Sequence, residues 1–155
     1  RLQVEHPITE RVTGVDLVKQ QIKIAEGYVL EYKQEDLMQR GHSIECRINA
    51  EDPERNFMPC PGEIDFCYMP GGKDTRIDTH IYSGYRIPPF YDSLIGKLIV
   101  YAKTRDEAIR KMKAALCELI IEGVDHNAEF QMEILSAEDF ENSSYTTDFL
   151  SKLLA

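Results

Sequence analysis

Apolar and polar residues alternate most cleanly over residues 42–51, where Ile44, Cys46, Ile48 and Ala50 fall on one face and Glu45, Arg47 and Asn49 on the other. A period of two predicts a half-buried strand with Arg47 on its wet side. Asp52-Pro53 breaks it, and Pro59, Pro61 and Gly62 mark a loop. Further strands are predicted at 63–68, ended by Pro70-Gly71-Gly72, and at 76–82, where Ile77, Thr79 and Ile81 oppose Asp78, His80 and Tyr82. The stretch 94–102 reads as a mostly apolar strand in which Lys97 is an edge or snorkelling lysine. Four strands without intervening helices imply an antiparallel or mixed sheet.

The period lengthens to that of a helix over residues 15–26, with Val15, Val18, Ile22 and Ala25 on one face and Gly27 placed to stop it. Thr104-Arg105-Asp106-Glu107 is a capping box opening a helix that carries Ile109, Met112, Leu116, Leu119 and Ile120 to a stop near Gly123. Helices are also predicted at 127–135 and 147–154, and a short helical turn at 34–38 within a polar connection. The fold class is α+β, a sheet with packed helices. At the start, Arg1-Leu2-Gln3-Val4-Glu5 alternates like a strand that Pro7 ends. The helix of residues 15–26 is expected to pack beneath it.

Composition narrows the function. The 155 residues are 43% hydrophobic and 29% charged, with net charge -9, which argues against nucleic acid as a partner. A site with two arginines can still attract a small anion. Cys46, Cys60, Cys67 and Cys117 lack metal-ligand spacing and read as buried thiols, and no histidine pair has ligand spacing on a helix, so no metal site is expected. No apolar run approaches the ~20 residues that cross a bilayer, and no signal-peptide pattern is present, so the default location is the cytoplasm, away from membranes.

The candidate chemistry lies in residues 1–5. A cation, an amide and a carboxylate at Arg1, Gln3 and Glu5 suit the holding and deprotonation of a small oxyacid. The same spacing is also that of a solvated strand face with an ion pair. Asp92 reads as a turn-capping residue or as the partner of an arginine.

Four stretches carry a resemblance: Arg1 to Glu10, Arg40 to Pro53 (with Glu45-Cys46-Arg47-Ile48-Asn49), Pro59-Cys60-Pro61-Gly62, and Tyr91-Asp92-Ser93-Leu94-Ile95-Gly96-Lys97-Leu98. In this order they resemble the biotin carboxylase family, in particular the biotin carboxylase subunit of bacterial acetyl-CoA carboxylases. The resemblance implies that residues 1–30 are the tail of an ATP-grasp domain and 31–155 the C-terminal domain, of rudiment single hybrid motif type. It implies that the parent protein uses MgATP and bicarbonate, through carboxyphosphate, to carboxylate biotin on a carrier protein.

By the same resemblance, Glu5 matches the base for bicarbonate, Arg1, Gln3 and the Val4 amide match the groups holding it, and Arg47 matches the arginine facing the biotin enolate. Asp92 matches a residue near biotin. By that resemblance the phosphate loop, most nucleotide contacts and the metal ligands lie upstream of these 155 residues, so no bound cofactor and no activity are expected of them by themselves. Implied partners are the biotin carboxyl carrier protein, the carboxyltransferase subunits and a second copy of the chain. Pyruvate and propionyl-CoA carboxylases share the motifs. A mainly dimerising module is the other reading, with Phe66, Tyr68, Tyr82, Tyr85, Phe90 and Tyr91 as its interface.

Overall fold

Alternation in the longest predicted strands is realised as a sheet with one apolar and one charged side. In the computed structural model, which describes residues 1–154, β1 (His42–Asn49), β5 (Thr75–Thr79) and β6 (Leu94–Ala102) form a three-stranded sheet in the order β1-β6-β5. Both pairings are antiparallel. Cys46 stands opposite Leu98 and Leu98 opposite Ile77, whereas one residue along the strands Arg47, Lys97 and Asp78 make a row across all three. Period-two geometry therefore sends the first set to one face and the second to the other.

The apolar face is the core. Cys46, Ile48, Leu98 and Val100 pack there against Ala108, Met112, Ala115 and Leu116 of α3 (Arg105–Glu118). Leu98 is fully buried, which for a leucine is worth about 1.5–3 kcal/mol. Helix α3 starts where its capping box predicts: the Thr104 hydroxyl accepts from the Glu107 N–H, and the Glu107 carboxylate accepts from the Thr104 N–H, both at 3.3 Å. Burial drives the Cys46 thiol pKa up to about 12. Cys60 and Cys67 are only half-buried and Cys117 is exposed, so the reading of all four as buried thiols holds for Cys46 alone.

The charged face lies under the N-terminal residues, and here the structure departs from expectation. Residues 1–5 are not a strand. They run without regular structure into α1 (His6–Thr13), for which Glu5 is the N-cap and Pro7 lies in the first turn. Proline denies a ladder its N–H, but its fixed φ suits a helix start, and that preference prevails. Helix α2 (Leu17–Ala25) forms as predicted, capped by the Asp16 carboxylate accepting from the Lys19 N–H at 2.8 Å. Without a strand to cover, its Val18, Ile22 and Ile24 stand 43–56% exposed while Gln20 is the buried residue.

A second correction concerns residues 119–123. The helix expected to reach Gly123 ends at Glu118, and β7 (Ile120–Glu122) pairs antiparallel with β4 (Phe66–Tyr68). The apolar run Leu119-Ile120-Ile121 continues the helical stripe on paper, but strand pairing with β4 captures it. Strand β4 is accordingly shorter than the predicted 63–68. A minor ribbon joins β2 (Glu51–Asp52) to β3 (Met58–Pro59). The chain finishes with α4 (Ala128–Ser136), the unpredicted single turn α5 (Glu138–Glu141) and α6 (Phe149–Leu153). Among the described residues no helix is long and apolar enough to cross a membrane.

Candidate active site

Two cations on the charged face meet the N-terminal segment. The Arg47 guanidinium donates to Glu5 Oε2 at 2.8 Å, with both side chains about half exposed. The Lys97 ammonium donates to the Val4 carbonyl at 3.1 Å and lies 3.6 Å from Asp78 Oδ2; its side chain is 14% exposed. Strand β6 is the centre of the sheet, so Lys97 is neither an edge lysine nor a snorkelling one. It points up into the residues that precede α1. The Glu5 carboxyl sits below the usual carboxylate range, first because its own backbone N–H bonds to it and then because Arg47 and Arg1 are near, with desolvation opposing. It is therefore ionised at neutral pH.

Around these groups the face is densely charged. Asp78 accepts from Arg76 Nε and Nη2 at 2.6 and 2.8 Å, a two-point grip that, as the leading cause, lowers the Asp78 pKa. Glu45 is different: both carboxylate oxygens are buried with no hydrogen-bond partner among the described residues. Desolvation raises its pKa, against the pull of Lys97 and Arg47. A carboxyl whose folded pKa is raised costs stability when ionised and costs none once pH falls below its ordinary value of 4.5. Glu45→Gln should therefore raise the melting temperature by a few degrees at pH 7–8. The gain should vanish near pH 4, which thermal denaturation across that range checks.

Beside Arg47 opens a pocket of about 580 Å³, whose lining includes Val4, Asn49, Tyr85, Tyr91 and Asp92. That is the size of a small-molecule site. Asn49, in its lining, follows a register irregularity between Ile48 and Asn49 at the end of β1. Asn127 holds this irregular end: its Oδ1 accepts from the Asn49 N–H at 2.9 Å, its Nδ2 donates to the Arg47 carbonyl at 3.1 Å, and its backbone N–H donates to the Asn49 carbonyl at 3.1 Å. Ser93 bonds the Glu51 carboxylate, tying the loop that carries Asp92 to β2.

The structure thus brings Glu5, Val4, Arg47 and Asp92 to one region. Asp92 Oδ1 caps its own turn, accepting from the Leu94 N–H at 2.8 Å, and makes no bond to an arginine among the described residues. Arg1 and Gln3 are exposed, and among the described residues the Arg1 guanidinium hydrogen-bonds only the Leu2 carbonyl, at 3.4 Å. Sequence reasoning took Lys97 for an edge or snorkelling lysine and gave Asn127 no role beyond the start of a helix. A lysine in the middle of an apolar run was a usable signal for the first; the second reads as an ordinary residue before a helix. The described residues contain no group of three His, Cys, Asp or Glu side chains able to hold a metal ion. A guanidinium at the mouth of a part-aromatic pocket fits a cyclic urea.

Comparison with known proteins identifies the family. Residues 45–152 match the Biotin carboxylase C-terminal domain family, and residues 1–33 match the Carbamoyl-phosphate synthase L chain, ATP binding domain. The chain belongs to the biotin carboxylase family. It is 55% identical over 150 residues to Biotin carboxylase 1 of Bacillus subtilis, covering 97% of this chain and 33% of that protein. The biotin carboxylase domain dimer of Hydrogenobacter thermophilus 2-oxoglutarate carboxylase, solved with MgADP, ADP and bicarbonate, superposes with a TM-score of 0.96 at 46% identity, covering 100% of this chain and 35% of that one. A complete pyruvate carboxylase from Rhizobium etli gives 0.95 at 39% identity, covering 100% and 15%. The chain spans about a third of the length of the curated relatives it matches.

Proposed function

We propose that these residues form the bicarbonate- and biotin-facing side of the active site of an ATP-dependent biotin carboxylase, with residues 1–30 belonging to its ATP-grasp domain and 31–155 to its C-terminal domain. The observation that carries this reading is the 2.8 Å contact between Glu5 and Arg47, residues 42 positions apart, of which Arg47 lines the pocket. Arg1, Gln3 and the Val4 amide hold bicarbonate, Glu5 takes its proton, and Arg47 offers a planar pair of N–H groups to the oxygen of the cyclic urea. Asp92 stands on the same rim. When bound, MgATP would supply the phosphoryl group that activates bicarbonate, with most of its contacts upstream of these residues.

The ion pair couples these roles. While Arg47 rests on Glu5 the carboxylate is a weakened base. Once Arg47 turns to the urea, that contribution to the low Glu5 pKa is removed and its basicity rises. The 55% identity to Biotin carboxylase 1 of Bacillus subtilis supports an acetyl-CoA carboxylase subunit, cytoplasmic and acting in fatty acid synthesis with a biotin carboxyl carrier protein and carboxyltransferase subunits. Likeness to 2-oxoglutarate and pyruvate carboxylases keeps those acceptors in the test. The 155 residues alone carry neither ATP hydrolysis nor biotin carboxylation.

The test is Arg47→Ser in the full-length protein. Biotin carboxylation should fall about 10²- to 10³-fold while bicarbonate-dependent ADP formation survives, because a serine has no charge to set against the urea oxygen. Wild-type carboxylation in that variant removes Arg47 from the site. A second role, association with another copy, is favoured by Phe66, Tyr68 and Tyr82, which are 46–63% exposed, and by the dimer formed by the Hydrogenobacter relative. Sedimentation of the full-length protein tests it.

A further inference from the structure

We propose that Lys97 is a positioning residue for bicarbonate: its ammonium fixes the Val4 carbonyl, and with it the Val4 amide and the Glu5 carboxylate, when Arg47 releases Glu5. This inference rests on the reading above. The argument begins with a conflict in the sheet. Arg47 and Lys97 are direct cross-strand partners on one face. Like charges so placed repel, and a sheet gains nothing from them as a pair.

Each cation is instead matched separately. Arg47 has Glu5, 2.8 Å away, and Lys97 has the Val4 carbonyl at 3.1 Å and Asp78 at 3.6 Å. Two adjacent residues of a segment without regular structure are thus each held by one of two adjacent residues in a cross-strand row. The two holds differ in kind. Arg47 to Glu5 is half exposed and ends on a carboxylate whose proposed task is to exchange a proton. Lys97 to Val4 is shielded, ends on a backbone carbonyl that takes no part in chemistry, and springs from the central strand, whose neighbours on both sides fix it.

A charged donor on a backbone acceptor, screened from water, is the less conditional of the two, because a carbonyl neither titrates nor exchanges a proton. Asp78, itself gripped by Arg76, steadies the ammonium from the far side. When Arg47 turns toward the urea, Lys97 is the remaining side-chain tie between the sheet and residues 1–5 among the described residues. It therefore acts on bicarbonate through Val4 and Glu5 without touching it.

The experiment uses the full-length carboxylase and measures kcat and KM for bicarbonate in ADP formation, with melting temperature alongside. Lys97→Met should raise KM for bicarbonate about tenfold or more, the scale of losing one charge-assisted bond. Its KM for ATP should stay unchanged. Lys97→Arg, which keeps a cation within reach of the carbonyl, should recover most of the loss. A role confined to packing would lower melting temperature in both variants and leave KM for bicarbonate at the wild-type value, and that result overturns the proposal. If Lys97→Met does not fold, Lys97→Gln is judged by the same criterion: a raised KM supports the tie and a wild-type KM refutes it. Absence of bicarbonate-dependent ADP formation in the wild-type parent would instead refute the functional reading itself.

Discussion

Glu5→Gln in the full-length protein is expected to lower bicarbonate-dependent turnover by about 10²- to 10⁴-fold, the range over which a positioned general base acts. Gln keeps the size of Glu and can still receive the Arg47 N–H through its amide oxygen, so the segment stays near its place. What is lost is the ability to accept a proton, and with it the anion that sets Arg47 at rest. Because the pair is half exposed and screened by solvent, the melting temperature should hardly move. Steady-state ADP release with and without bicarbonate checks this. A variant that turns over at the wild-type rate would place the base on another residue.

Gly123→Ala is expected to be the most damaging single-methyl change in the C-terminal half. Gly123 has φ +101°, a region that side chains other than glycine's avoid, and an added Cβ would lie 2.3 Å from the Glu63 carbonyl oxygen and 2.8 Å from the Asp65 nitrogen. Both are backbone atoms beside the β4–β7 pair, so neither can step aside as a side chain would. The cost is on the order of 3 kcal/mol or more, strain and overpacking combined. Gly84→Ala is the control, since Gly84 has φ +89° but nothing within 4 Å of an added Cβ. It carries backbone strain alone. Urea unfolding of both variants in the full-length protein separates the two contributions, and equal midpoints would contradict the steric argument.

What could be read from the chain was what local pattern controls. β1 and β6 follow from alternation and from an apolar run of strand length, and α3 from a hydroxyl and a carboxylate three residues apart. Arg47 was placed on the wet face from parity alone, and it is there. The failures have a common cause. Residues 1–5 alternate like a strand, yet a strand needs a neighbour, and Pro7 could as well begin a helix as end a ladder. Ile120 and Ile121 suit a helix face or a strand equally, and the choice was made by β4, some fifty residues away.

The candidate site shows the same limit. Its members could be named from family motifs, but Lys97 acts through a segment 93 residues distant, and Asn127 through the backbone of β1 rather than through the helix it precedes. Neither relation has a local signature. The stretch of α2 that looked like a core-facing stripe is a bare face here for the reverse reason: periodicity reports that a surface wants cover, not what covers it.

The crossed contacts of Arg47 with Glu5 and Lys97 with Val4 bear on how such enzymes can be recombined. A chimaera spliced near residue 30, where family boundaries invite a cut, takes the acid and its carbonyl neighbour from one parent and both cations from the other. Such hybrids should work only when the two donors agree at positions 5, 47 and 97. The natural unit of exchange is therefore the sheet together with the ribbon laid over it.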